Sequence, residues 1–154
     1  MPDLPKIYTS LLLCNEVLKE DNGVLSAIRI VDKFIVPKLP VTEPASKVLA
    51  LIEFWVLVIF KSATPCEFTA TLSGLSPEGK DRPLDPQHFP VRLNGGAAGH
   101  QLMIRIGLVN PPEGDYWFNV AINGEIIQQT PARVTYLQQT PVPSKPSQTE
   151  ASSE

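Results

Sequence analysis

Tyr116-Trp117-Phe118-Asn119-Val120-Ala121-Ile122, closed by Asn123-Gly124, is the stretch that decides the fold. It is crowded with aromatic and β-branched residues, the types that fit a pleated, half-buried surface. Tyr116, Phe118, Val120 and Ile122 share one parity and are assigned to a core, while Trp117 and Asn119 fall on the other and point outward. Asn123-Gly124 predicts a two-residue hairpin turn, because both residues accept the positive φ that such a turn needs. The return strand covers residues 125–136, and Pro111-Pro112-Glu113-Gly114-Asp115 is the tight turn leading in.

The same period of two recurs upstream. In residues 101–109, Leu102, Ile104, Ile106 and Leu108 face inward and Arg105 outward. In residues 67–73, Phe68, Ala70 and Leu72 alternate with polar residues. Residues 89–93 form a short strand, assigned to a sheet edge because Pro90 has no N–H for a central ladder. The apolar run 48–60, broken only by Glu53, falls short of the roughly 20 residues a membrane helix needs. Its β-branched and aromatic content predicts a strand buried on both faces.

Residues 7–18 and 24–36 are two apolar runs joined by Glu20-Asp21-Asn22-Gly23, a second hairpin with Asn-Gly at its turn. In the later run Val24, Ile28, Ile30, Phe34 and Val36 share a parity, with Arg29 and Lys33 opposite. The first strand is apolar on both faces, with Leu11, Leu13 and Val17 opposing Leu12, Cys14 and Leu18. Either it is covered within the fold or it offers an edge to a partner. Residues 37–44, 74–86 and 94–99 read as loops, the first crossing between layers. From Gln138 the composition is Gln, Thr, Pro, Ser, Lys and Glu, too polar to order itself. The expectation is one all-β sandwich domain of about 7–9 strands over residues 1–137, followed by a disordered tail over 138–154.

Gly114-Asp115-Tyr116-Trp117-Phe118-Asn119-Val120 resembles the closing hairpin of immunoglobulin-like sandwiches, which run Gly-x-Tyr-x-Phe-x-Val before a turn. Ser10-Leu11-Leu12-Leu13-Cys14, with the hairpin turned at Gly23, resembles a group of short, uncharacterised bacterial β-sandwich proteins, across residues 7–136. The resemblance implies a single immunoglobulin-like antiparallel sandwich and a bacterial source. It brings no activity and no site residues.

Composition agrees with such a domain. The 154 residues are 43% hydrophobic, enough to bury a core, and 16 prolines exclude long helices. A net charge of -3 gives no basic patch, so nucleic acid is not an expected partner. The start Met1-Pro2-Asp3 is acidic, and the apolar run is interrupted at Thr9-Ser10, unlike a secretory signal. Leu12-Leu13-Cys14 lacks the basic region that precedes a lipoprotein box. Cys14 and Cys66 are too few for a structural zinc site or a disulfide framework, so the expected compartment is the cytoplasm, with no membrane.

The search for chemistry returns little. Gly74-Leu75-Ser76-Pro77-Glu78-Gly79 has one residue too many for a nucleophile elbow and reads as a surface turn. Cys14, inside an apolar strand, reads as a buried, inert thiol rather than the partner of His88 or His100. Those two histidines lack a third ligand for a metal. The glycines of 94–99 are followed by no Lys-Ser/Thr, and Asp81 and Asp85 lack the alternating ligands of a calcium loop. No cofactor is expected.

The leading reading is a non-catalytic sandwich that binds another protein or joins an assembly, with Trp117, Asn119 and Arg105 as candidate contacts. Trp117 has two readings at this stage: a contact anchor, or an indole packed under a loop or the tail. The alternatives are a small hydrolase using Asp81, Asp85, His88 and His100, and a carbohydrate-binding sandwich in which Trp117 stacks on a sugar. Pro143 and Pro146 make a Pro-x-x-Pro spacing in the tail, where a plain solubilising extension is the default. The oligomeric state stays open.

Overall fold

In the computed structural model, which describes residues 4–37, 50–79 and 84–137, nine strands form among those residues and no helix does. They are β1 (Ile7–Lys19), β2 (Leu25–Ile30), β3 (Lys33–Pro37), β4 (Leu51–Ser62), β5 (Cys66–Leu75), β6 (Leu84–Leu93), β7 (His100–Val109), β8 (Gly114–Ile122) and β9 (Glu125–Leu137). They build a four-stranded sheet ordered β2-β1-β4-β7 and a five-stranded sheet ordered β3-β9-β8-β5-β6. All ladders are antiparallel except β3–β9, which is parallel and departs from an all-antiparallel sandwich.

The core sits where even-numbered residues of the central strands meet. Phe54, Val56, Val58 and Phe60 of β4 face Phe68, Ala70 and Leu72 of β5 and Tyr116, Phe118 and Val120 of β8, all buried. Rings join the layers: Phe54 meets Phe118 edge-on at 5.5 Å between centroids, and Phe60 meets Phe68 at 5.4 Å. Phe34 of β3 reaches Phe54 at 4.9 Å. Such contacts add roughly 0.5–1.5 kcal/mol each beyond the area they bury.

The closing hairpin forms as its sequence predicts. Asn123 and Gly124 both take positive φ, at 51° and 83°, and Ile122 pairs with Glu125. At its start the buried Tyr116 donates its hydroxyl hydrogen to the carbonyl oxygen of Pro112 at 3.0 Å, the corner that immunoglobulin-like sandwiches build at this strand. The first hairpin turns differently from expectation. Gly23 donates to the Glu20 carbonyl and Glu20 to the Val24 carbonyl, and only Gly23 has positive φ, at 81°. Asp21-Asn22-Gly23 is therefore a three-residue loop with glycine at the left-handed position, and the Asn22 carboxamide accepts from Val24 N–H instead of distorting its own backbone.

Residues 24–36 are not one strand. β2 ends at Ile30, the chain turns at Val31-Asp32, and β3 joins the other sheet beside β9. Arg29, with φ 54°, breaks the alternation just before the crossing. The shared parity of Ile30 and Phe34 is thus accidental: Phe34 packs on the core, whereas Ile30 is 66% exposed. β4 is buried on one face and partly on the other, since Leu51 and Glu53 are exposed and Leu57 is not. The expected loop 74–86 is shorter, because β6 begins at Leu84 and takes Asp85 and Pro86 into an edge strand. Gly79 N–H donates to the Ser76 carbonyl oxygen, so Ser76–Gly79 is a turn, whereas Gly74 and Leu75, read with it as a surface turn, end β5, and Ser76 is buried. Most of the 37–44 crossing and the whole of the 138–154 tail, with Pro143 and Pro146, lie outside the described residues.

Candidate interaction face

The parity of β1 and β4 leads to the site. Their odd and even sets face opposite ways, and pairing fixes which set shares a side: Cys14 lies opposite Trp55, Leu12 opposite Leu57, Ser10 opposite Ile59 and Tyr8 opposite Lys61. Leu11 and Leu13 therefore join the core, while Leu12 and Cys14 lie on the outer face of the four-stranded sheet. The choice left open by the first strand is resolved in a third way. β1 is an interior strand, between β2 and β4, yet its second apolar side belongs to an outer face.

Across all four strands, Ile30, Cys14, Trp55 and Arg105 form one ladder row, and Leu12, Leu57 and Met103 form the next. Leu51 and Val109 close one end. Cys14 and Leu57 are buried within this surface, Leu12, Trp55 and Ile59 are half-buried, and Tyr8, Ile30, Leu51, Met103 and Val109 are exposed. Gly107 stands in the same face without a side chain, and a Cβ there would come 3.9 Å from Leu51. An apolar surface this continuous is rarely left facing water.

Arg105 lies within it, and its guanidinium pairs with the Glu53 carboxylate at 2.9 Å. Both side chains are about half exposed, so the pair orients more than it stabilises. Burial pushes the Cys14 thiol up, and its sulfur lies 3.9 Å from the Trp55 carbonyl oxygen, which leaves a neutral, weakly donating thiol. Cys66 is half-buried in the other sheet, and both cysteines are free.

Trp117 occupies the opposite outer face. It is 42% exposed, between Leu75 of β5 and Pro131 of β9, a small apolar island on a polar sheet. The Arg133–Asp115 ion pair lies beside it, and the Thr71–His88 hydrogen bond at 2.9 Å and the Arg92–Glu67 ion pair lie farther along the same face. Asn119 shares this outward parity but is only 5% exposed, so its expected role as a contact is corrected. Its carboxamide oxygen accepts from Gln129 at 2.8 Å, within a central strand flanked by β5 and β9. The structure therefore does not bring the three expected contact residues together. Trp117 and Arg105 lie on opposite outer faces.

The residues weighed for catalysis are also dispersed. His88 sits in β6 and His100 at the start of β7, in different sheets, and Asp81 lies outside the described residues. Among the described residues no group of three or more His, Cys, Asp or Glu could hold a metal, and no helix is long and apolar enough to cross a membrane. Sequence reasoning missed the apolar outer face because it judged strands singly. The signal available was the double-sided apolarity of residues 11–18 together with Trp55, Leu57 and Ile59.

Fold and face together define an all-β, immunoglobulin-like sandwich with one outer face left apolar. The chain belongs to DUF6941, a family of unknown function, whose model matches residues 9–135. No curated protein matches it in sequence. Among solved structures it is similar to a putative beta-galactosidase from Bacteroides fragilis, at 16% identity and TM-score 0.41, over 59% of this chain and 14% of that one. It is also similar to beta-glucosidase 3B from Thermotoga neapolitana, at 10% identity and TM-score 0.40, over 82% of this chain and 16% of that one. The beta-D-glucoside glucohydrolase from Trichoderma reesei gives 12% identity and TM-score 0.39, over 85% and 19%. The chain spans less than a fifth of each of these proteins, and likeness at this level assigns no function.

Proposed function

We propose that this protein is a non-catalytic β-sandwich that binds another polypeptide or takes part in an assembly. One observation carries the reading. The outer face of the four-stranded sheet presents Tyr8, Ile30, Leu51, Met103 and Val109 to solvent around a floor of Trp55 and Leu57, with the Glu53–Arg105 ion pair set into it and Glu16 and Lys61 toward its ends. Interface centres are made this way, depleted in charge and rich in aromatic residues, Met and Arg. The island at Trp117 is a smaller, second contact. Two free thiols favour a reducing, cytoplasmic setting.

A photo-crosslinking residue placed at Met103, and separately at Trp117, tests the proposal in a lysate of the source cells. A discrete adduct from the Met103 position supports it. Absence of any adduct from either position overturns it. Catalysis is checked with ester, phosphate and glycoside substrates. Turnover that disappears in an Asp85→Ala, His88→Ala, His100→Ala variant would replace this reading with a hydrolase.

A further inference from the structure

We infer that the apolar outer face docks on the same face of a second copy of this chain, about a twofold axis crossing the strands at the Leu12–Leu57–Met103 row. The inference rests on the binding role proposed above and names the partner. Its first support is the way charge is distributed along β4. Glu53 lies four residues to one side of Leu57 and Lys61 four residues to the other, about 13 Å each way. The neighbouring strand repeats the polarity: Glu16 lies two residues past Cys14, the partner of Trp55, and Tyr8 lies opposite Lys61. Lys6 adds a second cation at that end, 5.0 Å from the Tyr8 ring. The face therefore has an acidic end, a basic end and an apolar middle.

Two sheets stacked face to face by a twofold must have the axis in the plane between them. If the axis ran along the strands, it would lay acid on acid. If it crosses them at Leu57, it lays Lys61 of one copy over the Glu16–Glu53 row of the other and does the same in reverse. Glu16 and Lys61 are exposed and make no ion pair among the described residues of one chain. Arg105 stays keyed to Glu53 and orients it. At a sheet spacing of about 10 Å, Lys and Glu side chains span the gap.

Size is the second support. β1, β4 and β7 run along the ladder from Leu51 to Lys61, about 35 Å, and three strands spaced at about 4.8 Å are about 14 Å wide, with β2 adding a fourth only at the Trp55 end. The flat footprint shared by two copies is then about 500 Å² before side-chain relief is counted, against the roughly 800 Å² per partner of a standard interface. Gly107 leaves the rim beside Leu51 low enough for close approach.

Sedimentation equilibrium of the full chain over a range of concentrations is the test. The expected species has twice the 16.9 kDa chain mass. Met103→Glu, at an exposed site on the axis, and Lys61→Glu should each weaken dimerisation by about tenfold or more. Adding Glu16→Lys to Lys61→Glu should restore it to within about threefold of the native protein, whereas Arg92→Ala, on the other sheet, should leave it unchanged. Circular dichroism checks that each variant folds, and the Lys61→Glu pair stands independently if Met103→Glu does not. A monomer at every concentration, or a dimer indifferent to both variants, overturns the inference. So does a Met103 crosslink to residues 138–154 of the same chain. A Met103 crosslink to a different protein also overturns it, but leaves the binding role standing; no crosslink at all removes both.

Discussion

Phe54 and Phe118 meet edge-on with centroids 5.5 Å apart, and this contact couples an interior strand of the four-stranded sheet to the middle strand of the five-stranded one. Both rings are almost wholly buried. Phe118→Ala leaves a cavity against a packed neighbour, and the expected cost is about 3–5 kcal/mol. Urea denaturation with an unchanged slope would read that loss directly. A cost below about 1 kcal/mol would mean that the sheets are held together elsewhere.

Tyr116 anchors the entry to β8 through its bond to Pro112. Tyr116→Phe keeps the buried ring and removes the hydroxyl, leaving the Pro112 carbonyl without that donor. The expected destabilisation is about 1–2 kcal/mol, and thermal unfolding of the two proteins side by side would show it.

Gly114 has φ 134°, and a Cβ there would lie 2.7 Å from Cβ of Pro77. Gly114→Ala should therefore strain the backbone and push against a stiff proline ring. We expect a loss of about 1–3 kcal/mol, measured by denaturation. Gly124→Ala, at φ 83°, also meets a backbone penalty but has open space, so it should cost less.

Asp115 and Arg133 form a two-pronged pair at 2.7 and 2.9 Å. The guanidinium hydrogen bond holds the Asp115 carboxyl below its ordinary range. A depressed folded-state value stabilises above the unfolded value and loses that stability as pH falls through the folded one. Asp115→Asn should lower the denaturation midpoint at neutral pH, and the difference should begin to shrink near about pH 4 and close only as pH falls through the lower folded-state value. The pair is about half exposed, so salt should shrink the difference.

Cys14 and Tyr136 act at the other extreme. Burial pushes both up, and Glu113 beside Tyr136 adds to its shift. Their protonated forms are favoured by folding, so this stability is present below the unfolded values and is lost as pH rises through the folded ones. Stability should decline above about pH 9. At neutral pH a thiol reagent should modify half-buried Cys66 well before buried Cys14, as mass spectrometry of digested protein would show. Equal rates would mean that the outer face opens readily.

Period two made β5, β7 and β8 readable in the sequence, because a strand buried on one side writes its environment into every second residue, and β9 was read as the return strand of its turn. Asn123-Gly124 marked its turn for an equally local reason: two residues that tolerate positive φ. Sheet membership is not local. Nothing in Val31-Asp32 announces that the chain leaves β1 and settles beside β9, about a hundred positions away, since that pairing is selected by the assembled core. The fates of the outward residues depend on neighbours in the same way. Asn119 is covered and Trp117 is not, although they share a parity and differ by two positions, because each is flanked by different residues of β5 and β9. Arg105 and Trp117 were equivalent as outward residues on alternating strands. The stacking of two sheets puts them on opposite sides of the molecule, and the pairing of β4 with β7 gathers Trp55, Leu57 and Met103 into one face.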